Sequence, residues 1–268
     1  VVDPELQDDV RLAHALADIA DQTSLSYFGQ GVAQQTKSDG SPVTAADLAT
    51  ERAVLALLRE RRPDDAVLSE ESGTHGEAAR RWILDPIDGT AQFVAGERDW
   101  GSHVVLEVAG EVCVAIITRP CVKRRWWAVR GFGAYTSGSD TPNATDRPLR
   151  VSDQRSLDRA RVGGYVPSGS ESQVALSTRA TWVSDPVSIF SATVEGSVDV
   201  MIDDGGHVWD LAPRKLLVTE AGGRFRDPHG GSRLDLGGGL YTNGHLEQAV
   251  TDVLRGLRFE GPPATTWR

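Results

Sequence analysis

Acidic residues stand where apolar segments end along this sequence. Asp47 lies in "VTAADLATE" (43–51), Glu70 and Glu71 close "AVLSEE", Asp85 and Asp88 sit in "WILDPIDGT" (82–90), and Asp210 follows "VW". Each follows or caps an element that must pack into a core. A carboxylate in such a place is costly unless it is paired or binds a metal. Asp85 and Asp88 are so close in sequence that they repel unless something positive lies between them. Pro86 fixes one φ angle and turns the chain, so both carboxylates can face one point, with the Ile87 carbonyl also available. Gly89 lets the backbone approach a ligand. Gly89 and Thr90 would present N–H groups to an anion if a helix starts there. An oxygen-rich cluster with no Cys/His ligand pair suits a hard ion, Mg²⁺ above all.

Each segment also has a plainer reading. "DPIDGT" can be an ordinary turn, "EES" a solvated charge pair, Asp210 a helix cap and Asp47 a first-turn helix charge. Their occurrence together, in this order, favours the metal-centred reading. The six His are scattered without HxxxH or HExxH spacing, so a zinc site is not expected. No GxSxG is present and "SGS" (168–170) reads as a loop. No nucleophilic Ser or Cys motif is therefore visible. Trp82, Trp126, Trp127 and Trp209 lie in apolar segments and read as core, not as a base-stacking surface.

The elements that must position these groups follow from periodicity. Leu6, Val10, Ala13, Leu16, Ala17 and Ala20 predict a helix over 6–28. Thr44 reads as the N-cap of a second helix over 45–60, which Pro63 ends. "AVLSEES" and "RWILD" read as short strands. Strands are expected at 101–109, 111–119 and 125–130, and the Ser/Pro/Asp-rich stretch 137–148 as a linker. Beyond it, "RARVGGY", "RATWVS", "SVDVMID", "RFRD" and "LYTNG" suggest strands. Helices are expected over 186–196, from Val208 to a stop at Gly222, and over 245–257. The pattern predicts an α+β or layered αβ architecture, with an N-terminal half (1–140) carrying most candidate ligands and a C-terminal half (141–268) carrying Asp210.

With 268 residues the chain is long enough for a substantial core. A net charge of −10, with Lys123-Arg124-Arg125 as its nearest approach to a basic run, argues against nucleic acid. No apolar run approaches the ~18–20 residues of a membrane span. Two cysteines make no disulfide framework, and Cys113, within "VCVAII", is expected to be buried. No signal segment opens the given sequence, which starts at Val. A reducing cytoplasm is the expectation.

"VTAADLATE", "LSEES", "WILDPIDGTAQFVAG" and "VWDLAPRKLLVTEAGG" (208–223) together resemble the inositol monophosphatase family, the lithium-sensitive, magnesium-dependent phosphatases. The resemblance spans residues ~10–250 of the sequence. "RRWWAVRGFGA" looks most like the actinobacterial histidinol-phosphate phosphatase branch. The resemblance implies an αβαβα sandwich, a homodimer, and a small phosphorylated metabolite as substrate. It also implies two or three Mg²⁺ ions: Glu70, Asp85 and the Ile87 carbonyl for the first, Asp85, Asp88 and Asp210 for the second, and a loose third near Glu70. Thr90, bonded towards Asp47, and Glu70 would orient the water. Gly89 and Thr90 N–H groups would hold phosphate oxygens, with Glu71 and Lys37 just behind the ligands. Phosphate-monoester hydrolysis is extremely slow uncatalysed, and two ions ~3.5–4 Å apart stabilise both attacking and leaving oxygens.

The resemblance is weaker where substrate choice is made. Asp203 stands where inositol phosphatases usually carry a Glu, and Ser184, Asp185 and Pro186 replace expected small residues. Asp185 and Asp203 could bond hydroxyls or a substrate amine. Otherwise Asp185 caps the next helix and Asp203 with Asp204 forms a solvated loop pair. A tailoring phosphatase for a sugar, cyclitol or nucleoside intermediate, a bisphosphate or polyphosphate phosphatase, and a non-catalytic binding protein are the alternatives. No expected metal ligand is missing, and the longer insertions of the bisphosphate branches are absent.

Overall fold

The computed structural model describes residues 3–37, 40–138, 146–184 and 188–256. The chain forms two compact units. The first is built on residues up to Arg130 with Thr136–Arg147, the second on Gly131–Tyr135 and residues from Pro148 onwards.

In the first unit, α1 (Pro4–Tyr27) begins behind an Asp3 cap. A small hairpin, β1 (Gln34–Thr36) with β2 (Pro42–Thr44), leads into α2 (Ala45–Arg61). The N-cap expected at Thr44 is present as a capping box with Asp47. There follow β3 (Ala66–Ser69), β4 (Gly73–His75), β5 (Arg80–Asp88), α3 (Thr90–Ala95), β6 (Gly101–Val108), β7 (Glu111–Arg119) and β8 (Arg124–Val129). These strands run in the order β8-β7-β6-β5-β3-β4, in a sheet that β9 (Gly133–Ser137) and β10 (Arg147–Pro148) extend. Leu12, Leu16, Leu55 and Leu58 of the helices pack on Trp82, Leu84, Leu106 and Ile116 of the sheet.

Two features of this sheet position the acids. β3 and β5 are parallel, with Ser69 opposite Leu84, so Glu70 and Asp85 leave adjacent strands at the same end. β5 does not stop at Asp85, where "RWILD" would end it. It continues to Asp88 with a register shift against β6, because Pro86 has no N–H for the ladder and the extra residues bulge. Gly101, opposite Asp88, must be glycine: a Cβ there would lie 1.8 Å from the Thr118 carbonyl oxygen. Cys113 is half-buried, not buried as expected. It lies at the register shift of β7 against β6 and packs only partly against the helix-side core. Trp82 and Trp126 are buried, and Trp127 is half-buried against the core.

The second unit contains β11 (Arg161–Tyr165), α4 (Glu171–Ser177), β12 (Thr181–Trp182), α5 (Ile189–Val194), β13 (Val200–Asp203), α6 (Val208–Glu220), β14 (Arg224–Arg226), β15 (Gly239–Thr242) and α7 (Glu247–Leu254). Its sheet runs β12-β11-β13-β15-β14. "RATWVS" yields only the two residues of β12. Most of the expected linker, and Asp185 and Pro186 with it, lie outside the described residues. Trp209 is buried, and the last turn of α6 stops at Gly222 with φ of 91°. No helix among the described residues is long and apolar enough to cross a membrane.

Candidate active site

The first unit gathers its carboxylates at the end of β3 and β5. Glu70 N–H donates to the Leu84 carbonyl at 3.1 Å, which fixes Glu70 beside the start of the Asp85–Asp88 bulge. Asp85 is 2 % exposed. Ile87 anchors the bulge: its side chain is buried with Ala46, Phe93 and Trp100, and its carbonyl oxygen lies 3.2 Å from Thr90 Oγ1. Gly89, at φ 88°, turns the strand into α3, a conformation that favours glycine.

Thr90 Oγ1 also lies 3.0 Å from Asp47 Oδ1, to which it donates. The other Asp47 oxygen accepts from Thr44 N–H at 2.8 Å and Thr44 Oγ1 at 2.6 Å. The cap of α2 therefore holds Asp47, and Asp47 in turn sets the orientation of the Thr90 hydroxyl. Both residues are buried.

Lys37 Nζ bridges Glu70 (2.9 Å) and Glu71 (2.8 Å). Burial opposes its charge, but the two carboxylates outweigh that and hold its pKa raised. Burial pushes Glu71 up to about 7, against the pull of Lys37 and with the help of Glu70. Glu71 Oε1 is buried with no hydrogen-bond partner among the described residues. On the other side of the bulge, Arg119 donates to Asp88 Oδ2 at 2.7 Å and to Asp99 Oδ1 at 2.9 Å. His103 lies between Asp85 and Asp88, its Nδ1 4.0 Å from one and its Nε2 3.5 Å from the other. Asp85, Asp88 and His103 each offer a ligand atom, all within 4.8 Å of one another. A close set of carboxylate oxygens on buried or half-buried residues, one of them 2 % exposed, fits a divalent ion.

In the second unit, Asp210 Oδ2 accepts from His207 N–H at 2.7 Å and closes a capping box at the start of α6. The plainer reading of Asp210 as a helix cap is thus met, and capping leaves carboxylate lone pairs for other use. Asp203 and Asp204 are buried (3 % and 8 % exposed), so they are not a solvated loop pair. β13 carries Asp203 into the interior, where it forms an ion pair with the buried Arg214. Ser184 is exposed.

The inositol monophosphatase family model matches residues 5–256. The chain belongs to the inositol monophosphatase family. It is a phosphatase, a phosphoric monoester hydrolase, of a family that uses divalent metal ions. A Streptomyces coelicolor histidinol-phosphatase is 36 % identical over 94 % of this chain and 98 % of its own. A Streptomyces griseus protein is 51 % identical over 92 % of this chain and 96 % of its own, under the name glucose-1-phosphate thymidylyltransferase. That name describes nucleotidyl transfer; the family match sets the chemistry of this chain. The solved inositol monophosphatase from Zymomonas mobilis, 27 % identical, superimposes with a TM-score of 0.77 over 92 % of this chain and 98 % of its own. The layered α+β architecture is that of the family.

Sequence reasoning missed His103 and Arg119. Neither stands in a motif with the acids. The signal that could have found His103 is a lone imidazole within the apolar strand "SHVVL"; Arg119 similarly ends "CVAIITR".

Proposed function

We propose that the protein is a Mg²⁺-dependent phosphomonoesterase for a small metabolite whose leaving group carries hydroxyls or an amine. The observation that carries this reading is the Asp47–Thr90 hydrogen bond beside the acids of β3 and β5. It supports a hydroxyl held ready to accept a hydrogen bond from, and so align, an attacking water. Glu70, Asp85, Asp88, Asp210 and the Ile87 carbonyl would hold the ions, which supply charge stabilisation on the phosphate and an acidified water when bound. Gly89 and Thr90 N–H groups face the phosphate in this reading. Lys37 holds Glu70 and Glu71 in place, and the family resemblance supports a homodimer.

Histidinol phosphate is the first substrate to test, on the strength of the relatives of that name. A phosphorylated sugar or cyclitol is the second reading, and the Asp203–Arg214 pair favours it: an aspartate already neutralised by a guanidinium bonds hydroxyls better than it attracts an ammonium. Ser184 and Asp185 would add polar contacts to either. Phosphate release from histidinol phosphate, inositol and sugar monophosphates and an aryl phosphate, with Mg²⁺ and after chelation, separates these. Activity without a divalent ion would overturn the whole reading. Equal rates on histidinol phosphate and the aryl ester would remove only the first substrate.

A further inference from the structure

The resemblance assigns carboxylates and one carbonyl to the metals and leaves His103 without a role. We propose that His103 is a nitrogen ligand to the divalent ion held at Asp85 and Asp88. The site is then a mixed nitrogen–oxygen site that binds Mn²⁺, Co²⁺ or Zn²⁺ more tightly, relative to Mg²⁺, than oxygen ligands alone would. This inference rests on the reading of Asp85 and Asp88 as metal ligands.

Strand register brings the two residues together. Asp85 on β5 and His103 on β6 are directly opposite each other in an antiparallel pair, so their side chains leave the same face of the sheet. The next residues of β6, Val104, Val105 and Leu106, are all buried and apolar. An imidazole that is 1 % exposed in such a strand is costly unless it meets a polar group or ion. What it meets is the acid pair, at separations of 3.5 and 4.0 Å. These are long for hydrogen bonds. They run to opposite ring nitrogens, only one of which can ligate a given ion, and one ligand atom from each of Asp85, Asp88 and His103 lies within 4.8 Å of the others.

Arg119 does not compete for this role. It donates to Asp88 Oδ2, and a carboxylate oxygen has a second lone pair for a metal. Carboxylates that ligate metals are commonly held by such an outer hydrogen bond. The guanidinium, tied also to Asp99, fixes the Asp88 orientation from behind. Imidazole nitrogen suits the borderline ions and contributes little to Mg²⁺, which keeps oxygen ligands and water. His103 therefore changes which ions bind without removing a ligand that Mg²⁺ needs.

The test is Mn²⁺ added to the chelator-treated full-length protein and read by pulsed electron paramagnetic resonance for coupling to ¹⁴N. The expected result is imidazole nitrogen coupling in the unaltered protein and its loss in His103→Leu and His103→Gln. In the same variants, Co²⁺ affinity measured by competition with Mn²⁺ should fall by about 100-fold or more, and Mg²⁺ affinity by less than about 10-fold. Bound Mn²⁺ without nitrogen coupling in the unaltered protein, or coupling that survives in a folded variant, would overturn the role of His103 and leave the phosphatase reading standing. No bound Mn²⁺ at all would overturn both. If neither variant folds, the spectrum of the unaltered protein decides alone.

Discussion

The two units treat buried acids differently. In the second, three buried acids are balanced locally. Asp203 pairs with Arg214, Asp199 accepts from Ser152 and the Arg161 N–H, and Asp227 accepts from the backbone of His229, Gly231 and Arg233, which together hold its pKa down against burial. In the first, three cations are each shared between two acids. Lys37 serves Glu70 and Glu71, Arg119 serves Asp88 and Asp99, and Arg125 serves Asp18 and Asp21. Balanced burial builds a scaffold, because each charge is satisfied within the chain. Shared burial leaves an excess of negative charge that an added cation can relieve. The difference separates acids that hold the fold from acids able to hold an added cation, although both sets include buried carboxylates.

Substitutions should split along this line. The largest effect is expected for Asp88→Asn in the first unit: kcat on any phosphomonoester should drop by ~10³ or more, since metal clamps supply several kcal/mol. Its urea midpoint should hardly move. A large loss of stability with retained turnover would place Asp88 among the scaffold acids. Arg214→Met should do the reverse, costing ~3–5 kcal/mol by stranding Asp203, as read by urea unfolding. Adding Asp203→Asn should recover much of that loss, and a double variant no better than the single one would break the local-balance argument.

Thr90→Ala comes next. It should lower kcat by ~10² with little change in KM, because the hydroxyl aligned by Asp47 acts on the attacking water; Thr90→Ser should retain most of the rate. A raised KM with unchanged kcat would instead assign Thr90 to binding.

The smallest effect concerns Asp21, a first-unit acid away from the β3 and β5 carboxylates. Burial raises its pKa above 3.8, although Thr118 and Arg125 pull it back. The native state then binds the Asp21 proton more tightly than the unfolded chain does. Its stabilising contribution is complete below the unfolded value and is lost as pH rises through the folded one. Asp21→Asn should therefore raise Tm by a degree or two at pH 7, since near-neutral surface and half-buried changes are small, and the gain should disappear below about pH 4. A Tm lowered at pH 7 would show that Arg125 balances Asp21 after all.

The elements around the first-unit acids were legible because their signals are local. Thr44 and Asp47 are three residues apart and form a capping box in any helix that starts there. The turn chemistry of Pro86 and Gly89 acts on its immediate neighbours. The continuation of β5 to Asp88 was not legible, because a strand that ends and one that bulges read alike until the partner strand is known.

What the sequence determined by itself is the set of acids, the caps and turns that carry them, and the family to which they belong, since each depends on residue type and short spacing. The tertiary structure alone decided what neutralises them. His103 meets Asp85 through strand register, Arg119 reaches Asp88 from the far end of β7, and Arg214 reaches Asp203 from α6. Coulomb energy depends on distance in space and on burial, and neither is written in the order of residues.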